Sequence, residues 1–205
     1  TLSSVAERFG VATSTISRLL REVVPTISFV LRNAMPVVRS SPHPILNHQA
    51  CLDHTHVKIG RSRYDQSRYY RRDKGHALIF QVVCDREGRL CHFSGGFRGS
   101  MNDQRVLALS GVGTELKDVI MLADGGFRGN DPHRYGVHII TPNQVQDRRL
   151  HASERVVVEI TIGFIKTWRV LSERFKLSLA LLPYVFQACA LLTADYLAKN
   201  PIRRV

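Results

Sequence analysis

The stretch RVVVEITIGFIKTWRV, residues 155–170, places one carboxylate, Glu159, in the middle of an otherwise apolar run. Taken alone, the alternation of β-branched residues over 156–164 favours a strand. A longer window favours a helix, because its charged residues then fall on one stripe and the rest of the circumference is mostly apolar. We therefore predict a helix over about 153–174, with Glu159 on its polar edge one turn after Arg155.

Glu159 acquires a chemical role only if other carboxylates join it. With Arg155 alone it would form a surface i,i+4 ion pair worth about 0.2–0.5 kcal/mol. Three further candidates occupy suggestive positions: Asp53 in a predicted strand, Asp103 at the start of a predicted helix, and Asp124 at the end of a strand before two glycines. Carboxylates that converge from different elements are what two-metal phosphodiester chemistry needs. Oxygen ligands favour Mg²⁺ or Mn²⁺ over zinc.

Hydrophobic patterning predicts a mixed α/β layout, in which strands come first and are followed by helix, strand and long helix. The apolar run 177–194 is long enough to resemble a membrane span, but its polar residues and Pro183 indicate a buried core helix that starts near the proline. The other predicted elements are strands at 51–59, 76–85, 89–97, 119–124 and 138–142 and a helix within 99–111.

Composition narrows the class of protein. The 205 residues are 44% hydrophobic, enough for one full domain and a small appendage. A formal charge of +12 is the electrostatic footprint of a nucleic-acid binder, although charge alone leaves open a basic protein that is merely soluble. The four cysteines are scattered without a CxxC pair, which argues against a structural zinc site and against a secreted disulfide framework. We expect an intracellular, non-secreted protein without a membrane partner.

Residues 1–24 have the apolar pattern of a short helix, a turn at Gly10 and a second amphipathic helix, as in a helix-turn-helix. An ordinary helical hairpin explains the pattern equally well, and the overall charge favours DNA. Since the sequence begins at Thr1, we expect this segment to be incomplete. We predict a linker with a possible helix over 25–49 and the main domain over 50–200. The residues expected to face DNA are Thr13, Ser14, Thr15, Ser17, Arg18 and Arg21.

Five motifs in order resemble the endonuclease domain of DDE transposases, specifically the eukaryotic PIF/Harbinger group and its domesticated nuclease relatives. Bacterial insertion-sequence transposases are more distant. The resemblance covers residues 51 to about 174, and the later LPYVFQACALL resembles the family's closing helix. The motifs are LDHTHVKI, YYRRDKGHALIFQVVCDREGRL, FRGSMNDQRVL, MLADGGF and RVVVEITIGFIKTWRVL.

The resemblance implies an RNase H-like mixed sheet flanked by helices, with Asp53, Asp124 and Glu159 as the catalytic, metal-binding triad. Asp103 matches an acidic position often counted as a fourth metal ligand. Two divalent ions, Mg²⁺ or Mn²⁺, are implied, with hydrolysis of a DNA phosphodiester and, in a transposase, attack of the freed 3′-OH on target DNA. The sequence departs from the family at His54, where Gly is common, at Ile162, where an aromatic residue is common, and in lacking the usual His-Asn ending.

Basic residues near the predicted site supply further DNA-binding candidates. The run 61–74 interleaves Arg and Lys with three tyrosines, which suits phosphate contact and base stacking, although a solvated loop is the ordinary explanation of such a run. Zinc held by His54 and His56 is disfavoured, because no partner cluster has suitable spacing. The candidates are Arg68, Arg71, Arg72, Lys74 and, on the Glu159 helix, Lys166.

Three functions follow from these observations. The first is a metal-dependent DNA endonuclease or transposase, and the second is a domesticated, catalytically idle DNA-binding protein that keeps the fold. The third is an RNA-directed RNase H-like nuclease, which the N-terminal duplex-binding pattern disfavours. The resemblance also implies double-stranded DNA as partner, a Myb-like partner protein, a possible homo-oligomer and a nuclear location.

Overall fold

The central sheet has the strand order β4–β3–β1–β5–β6, with the short β2 pairing with the start of β3. The structure, a computed structural model, describes residues 2–32, 41–61, 66–71, 75–128 and 136–202. Strands β4, β3 and β1 are mutually antiparallel, whereas β5 is parallel to β1 and β6 is parallel to β5. The strands are β1 (Ala50–Lys58), β2 (Tyr70–Arg71), β3 (Gly75–Asp85), β4 (Leu90–Arg98), β5 (Ile120–Leu122) and β6 (His138–Ile140).

Helices lie on both faces of this sheet. The longest three are α2, α6 and α8, and two short 3₁₀ turns occupy Gly125–Phe127 and Leu179–Leu181. The α-helices are α1 (Leu2–Arg8), α2 (Thr13–Arg32), α3 (Gln66–Tyr69), α4 (Asp103–Leu109), α5 (Val112–Glu115), α6 (Arg148–Lys166), α7 (Arg169–Ser172) and α8 (Leu182–Lys199). The predicted α/β class and the five predicted strands are therefore confirmed, as is the helix after Gly99, which Asn102 caps by accepting from the Arg105 N–H.

The alternation of side chains along β1 sorts the core into two clusters. Cys51 and Val57 pack on the face covered by α6 and α8, and Leu52 packs on the opposite face with residues of α4 and α5. Phe80 and Phe186 stack at a ring-centroid distance of 4.0 Å and join β3 to α8. The same alternation directs Asp53 toward the α6 face and His54 toward the α4 face.

The segment around Glu159 is a helix, as periodicity predicted, but its ends differ from the predicted 153–174. Helix α6 begins at Arg148, because Asp147 accepts from the backbone N–H groups of the first turn. It ends at Lys166, and the backbone leaves helical geometry at Trp168 before the short α7. The Trp168 indole donates to Thr193 Oγ1 at 3.0 Å, a contact with α8 that no local pattern reveals.

The two N-terminal helices occupy their predicted positions, joined by a turn in which Gly10 has a left-handed φ of +62°. Helix α2, however, continues through Pro25 to Arg32, so the predicted break near residue 25 is wrong. Pro25 removes one backbone donor from a helix that is otherwise held by packing against α8, where Ser28 Oγ donates to the Tyr184 carbonyl. Whether this pair of helices binds DNA stays a prediction.

Helix α8 begins with Pro183 in its first turn, as predicted. Its length and apolar composition would suffice to cross a membrane, yet half of the relevant window is buried inside the protein. Phe186, Ala190 and Leu197 are almost fully buried. The helix therefore serves as a core element.

Candidate active site

Asp53 lies in the centre of the sheet, and its side chain is only 23% exposed. One carboxylate oxygen accepts from the His54 backbone N–H at 2.7 Å, and the other lies 3.3 Å from Arg155 Nη2. Burial raises the pKa of the Asp53 carboxyl and the nearby Asp124 charge adds to the rise, whereas the His54 N–H and Arg155 oppose it. The ionised form of Asp53 is thus held at a cost that a bound cation would offset.

Asp124 lies beside Asp53 because of strand register. In the parallel pair, Ala50 is opposite Met121 and Cys51 is opposite Leu122. Continuing that register by two residues sets Asp124 opposite Asp53, in line with the electrostatic effect of Asp124 on the Asp53 pKa. Asp124 caps the 3₁₀ turn that follows β5, and its Oδ1 accepts from the Gly126 N–H at 2.9 Å.

Gly126 separates Asp124 from Asp103. A Cβ added at Gly126 would collide with Asp103 Oδ2 and would lie 3.1 Å from Asp124 Oδ1. The absence of a side chain therefore keeps open the space that both carboxylates border. This requirement explains the second glycine of the ADGGF segment.

His54, the residue that departs from the family pattern, holds Asp103 in place. Its Nδ1 lies 2.8 Å from Asp103 Oδ1, and its Nε2 lies 3.2 Å from Gln81 Oε1. The imidazole also packs on Phe127 at a centroid distance of 4.8 Å. His54 thus makes an orienting contact with the fourth carboxylate.

Glu159 projects from α6 and is linked to Asp53 through Arg155. Arg155 Nη2 lies 3.7 Å from Glu159 Oε1 as well as 3.3 Å from Asp53 Oδ2. The Glu159 side chain is 55% exposed, while that of Arg155 is only 14% exposed. The sequence indicated the Arg155–Glu159 pair but not the contact with Asp53, which lies 102 positions away.

The four acids are linked in pairs, Asp53 with Asp124, Asp124 with Asp103 across Gly126, and Asp53 with Glu159 through Arg155, but these links do not amount to a finished metal site. Within the described residues, no three His, Cys, Asp or Glu side chains form a group that could hold a metal ion. The donor chemistry nevertheless fits, because every candidate ligand is a hard carboxylate oxygen of the kind that Mg²⁺ and Mn²⁺ prefer. Two features of the geometry also fit: the open space at Gly126, and a cationic group, the Arg155 guanidinium, between Asp53 and Glu159.

The predicted DNA-binding residues lie in three places. On α2, Thr13, Ser14, Arg18 and Arg21 are exposed, and Thr15 and Ser17 are half-buried. Lys166 is turned inward, and its Nζ donates to the His56 carbonyl of β1 at 2.5 Å. Arg72 and Lys74, and the side chains of Arg68 and Arg71, lie outside the part of the chain that the structure describes.

A known protein family matches most of the chain. Residues 52–194 match the family described as DDE superfamily endonuclease. The chain belongs to this family. The matched region contains all four carboxylates and Arg155. No curated protein matches the chain.

A solved structure, the cryo-electron microscopy structure of a simian T-cell lymphotropic virus intasome in complex with PP2A regulatory subunit B56 gamma, resembles this chain with a TM-score of 0.46 and 16% identity. The match covers 80% of this chain and 53% of the intasome chain, so this chain spans about half the length of that relative.

Proposed function

We propose that this member of the DDE superfamily endonuclease family is a divalent-metal-dependent nuclease of transposase type that hydrolyses DNA phosphodiester bonds. Asp53, Asp124 and Glu159 are its catalytic ligands, and Asp103 is a fourth metal-binding position. One observation carries the proposal: Asp53 on β1 and Asp124, two residues beyond the end of the parallel strand β5, are close enough inside the family region for the Asp124 charge to raise the Asp53 pKa. Asp103 approaches Asp124 across Gly126, and Arg155 links Glu159 to Asp53.

Each residue contributes a distinct part of the chemistry. Burial raises the pKa of Asp53, so a bound cation would stabilise the ionised form of this ligand. Asp124 is fixed by the Gly126 N–H, and His54 holds Asp103 at the rim of the same space. Two bound Mg²⁺ or Mn²⁺ ions would supply activation of the attacking water and neutralisation of charge at the leaving 3′ oxygen.

The same proposal covers the domain fold, the transposase group, the cellular location and the partners of the protein. An antiparallel β4–β3–β1 sheet extended by two parallel strands supports an RNase H-like domain over about 50–200. The sequence motifs support the PIF/Harbinger group, with strand transfer following cleavage, a nuclear location, a Myb-like partner and a homo-oligomeric assembly. The basic charge and the exposed polar residues of α2 support contact between residues 1–24 and duplex DNA.

One observation favours a second function, a domesticated DNA-binding protein without catalysis. The Arg155 guanidinium lies between Asp53 and Glu159, two of the three catalytic ligands, and satisfies their charges without a metal. A protein that had lost cleavage could retain this arrangement and still bind DNA through its basic surface. The two functions differ in whether divalent metal produces strand breaks.

Nicking of supercoiled plasmid by the purified chain tests the proposal. We expect Mn²⁺ or Mg²⁺ to produce nicked circles, EDTA to prevent nicking, and Asp124→Asn to abolish it. Asp195→Asn is the matched control, because Asp195 is an exposed aspartate of α8 paired only with Lys199 in the contacts described. Equal nicking by Asp124→Asn and the wild type would overturn the site. DNA binding without nicking would favour the domesticated protein, and preferential cleavage of an RNA–DNA hybrid would favour the RNA-directed nuclease.

A further inference from the structure

Arg155 is placed unlike an ordinary surface arginine. A single nitrogen, Nη2, lies 3.3 Å from Asp53 Oδ2 and 3.7 Å from Glu159 Oε1, so it faces one carboxylate from β1 and one from α6. The side chain is 14% exposed. These two carboxylates are among the metal ligands of the proposed function, so the guanidinium lies against oxygens that a bound metal ion would need.

The Arg155 guanidinium has favourable charge contacts at this position, but its hydrogen bonding is incomplete. Its Nε is buried and has no hydrogen-bond partner among the described residues. An unsatisfied buried N–H carries a cost, which offsets part of the attraction between the guanidinium and the two carboxylates. Displacement of Arg155 therefore exposes this N–H to water and recovers that cost.

A guanidinium and a divalent cation at this position would repel each other and would compete for the same carboxylate oxygens. We propose that Arg155 is a resident counter-cation that competes with a divalent metal ion for Asp53 and Glu159. In the metal-free protein Arg155 offsets the charge of the two carboxylates, and metal binding requires it to withdraw. The inference rests on the proposed function, because it presumes that these carboxylates bind metal.

The competition predicts that removal of the Arg155 charge tightens metal binding. We expect Arg155→Met to bind Mn²⁺ at least about fivefold more tightly than the wild type in the absence of DNA, the lower end of ordinary coupling between two ligands. Arg155→Lys keeps the positive charge and should remain close to the wild type. The contrast between Met and Lys separates the effect of charge from that of an altered helix.

The measurement is a titration with Mn²⁺ alone, followed by the loss of the electron paramagnetic resonance signal of free Mn²⁺. Circular dichroism establishes that each variant is folded. Arg169→Met is the matched control, because Arg169 forms the same i,i+4 pair with a glutamate, Glu173, but is 86% exposed. Its Mn²⁺ affinity should equal that of the wild type.

Unchanged or weaker Mn²⁺ binding by folded Arg155→Met would overturn the competition and would leave the proposed nuclease intact, since the wild type would still bind metal. Tightening by Arg155→Lys as large as that by Arg155→Met would also overturn it, because charge would then not be the cause. Failure of the wild type and every variant to bind Mn²⁺ would instead remove the metal site itself, and with it both the competition and the proposed function.

Discussion

A methyl group at Gly126 should damage catalysis while leaving the fold intact. The added Cβ would overlap Asp103 Oδ2 and would also lie 3.1 Å from Asp124 Oδ1. To restore ordinary contact the Asp103 carboxylate must retreat by about 1 Å, and a misplacement of that size in an active site costs on the order of 10²-fold in rate. The backbone of Gly126 has no left-handed φ, so stability should change by less than about 1 kcal/mol.

The neighbouring glycine provides the control for this substitution. A Cβ at Gly125 would meet only the Arg128 guanidinium, at 3.2 Å from Nη2, and this exposed side chain can move aside. Single-turnover cleavage of duplex DNA with Mn²⁺ should therefore be about 10²-fold slower for Gly126→Ala and nearly unchanged for Gly125→Ala. Equal rates for the two folded variants would refute the role assigned to the space between Asp103 and Asp124.

Two further substitutions test the energetics. Burial raises the pKa of Asp53 in the folded state, so ionisation of this carboxyl lowers the stability of the fold as the pH rises above the unfolded-state pKa of 3.8. Asp53→Asn should therefore have a higher melting temperature than the wild type at pH 7 in EDTA. This difference should vanish toward about pH 3.5, where Asp53 is mostly protonated in both states. A lower melting temperature at pH 7 would mean that pairing with Arg155 outweighs burial. Phe186→Ala removes the ring stacked on Phe80 and should cost about 3–5 kcal/mol in urea unfolding, whereas a loss below about 1 kcal/mol would show that this stack is not central to the core.

The elements of the fold that depend on local pattern were predictable. Hydrophobic patterning identified β1, β3 and β4, and charge periodicity distinguished the Glu159 helix from a strand. The end of that helix was not predictable, because the turn at Trp168 is supported by a contact with Thr193 on another helix. The continuation of α2 through Pro25 likewise depends on packing against α8.

The candidate site likewise contains residues that the sequence could identify and residues that it could not. Asp53 and Asp124 could be selected because each lies in or directly after a buried strand, and parallel register then brings them together. The roles of His54 and Arg155 could not, because the contacts that define them join residues 49 and 102 positions apart. Sequence patterns report which residues share a face of one element, whereas these contacts depend on how separate elements pack.

Binding of metal by the acidic site is the central claim, and anomalous diffraction from crystals soaked in Mn²⁺ tests it most directly. The expected result is an Mn²⁺ peak about 2.1 Å from carboxylate oxygens of Asp53 and Asp124, with the Arg155 guanidinium moved away from Asp53. Anomalous peaks confined to other parts of the protein, or no peak at saturating Mn²⁺ with Arg155 still between Asp53 and Glu159, would contradict the claim.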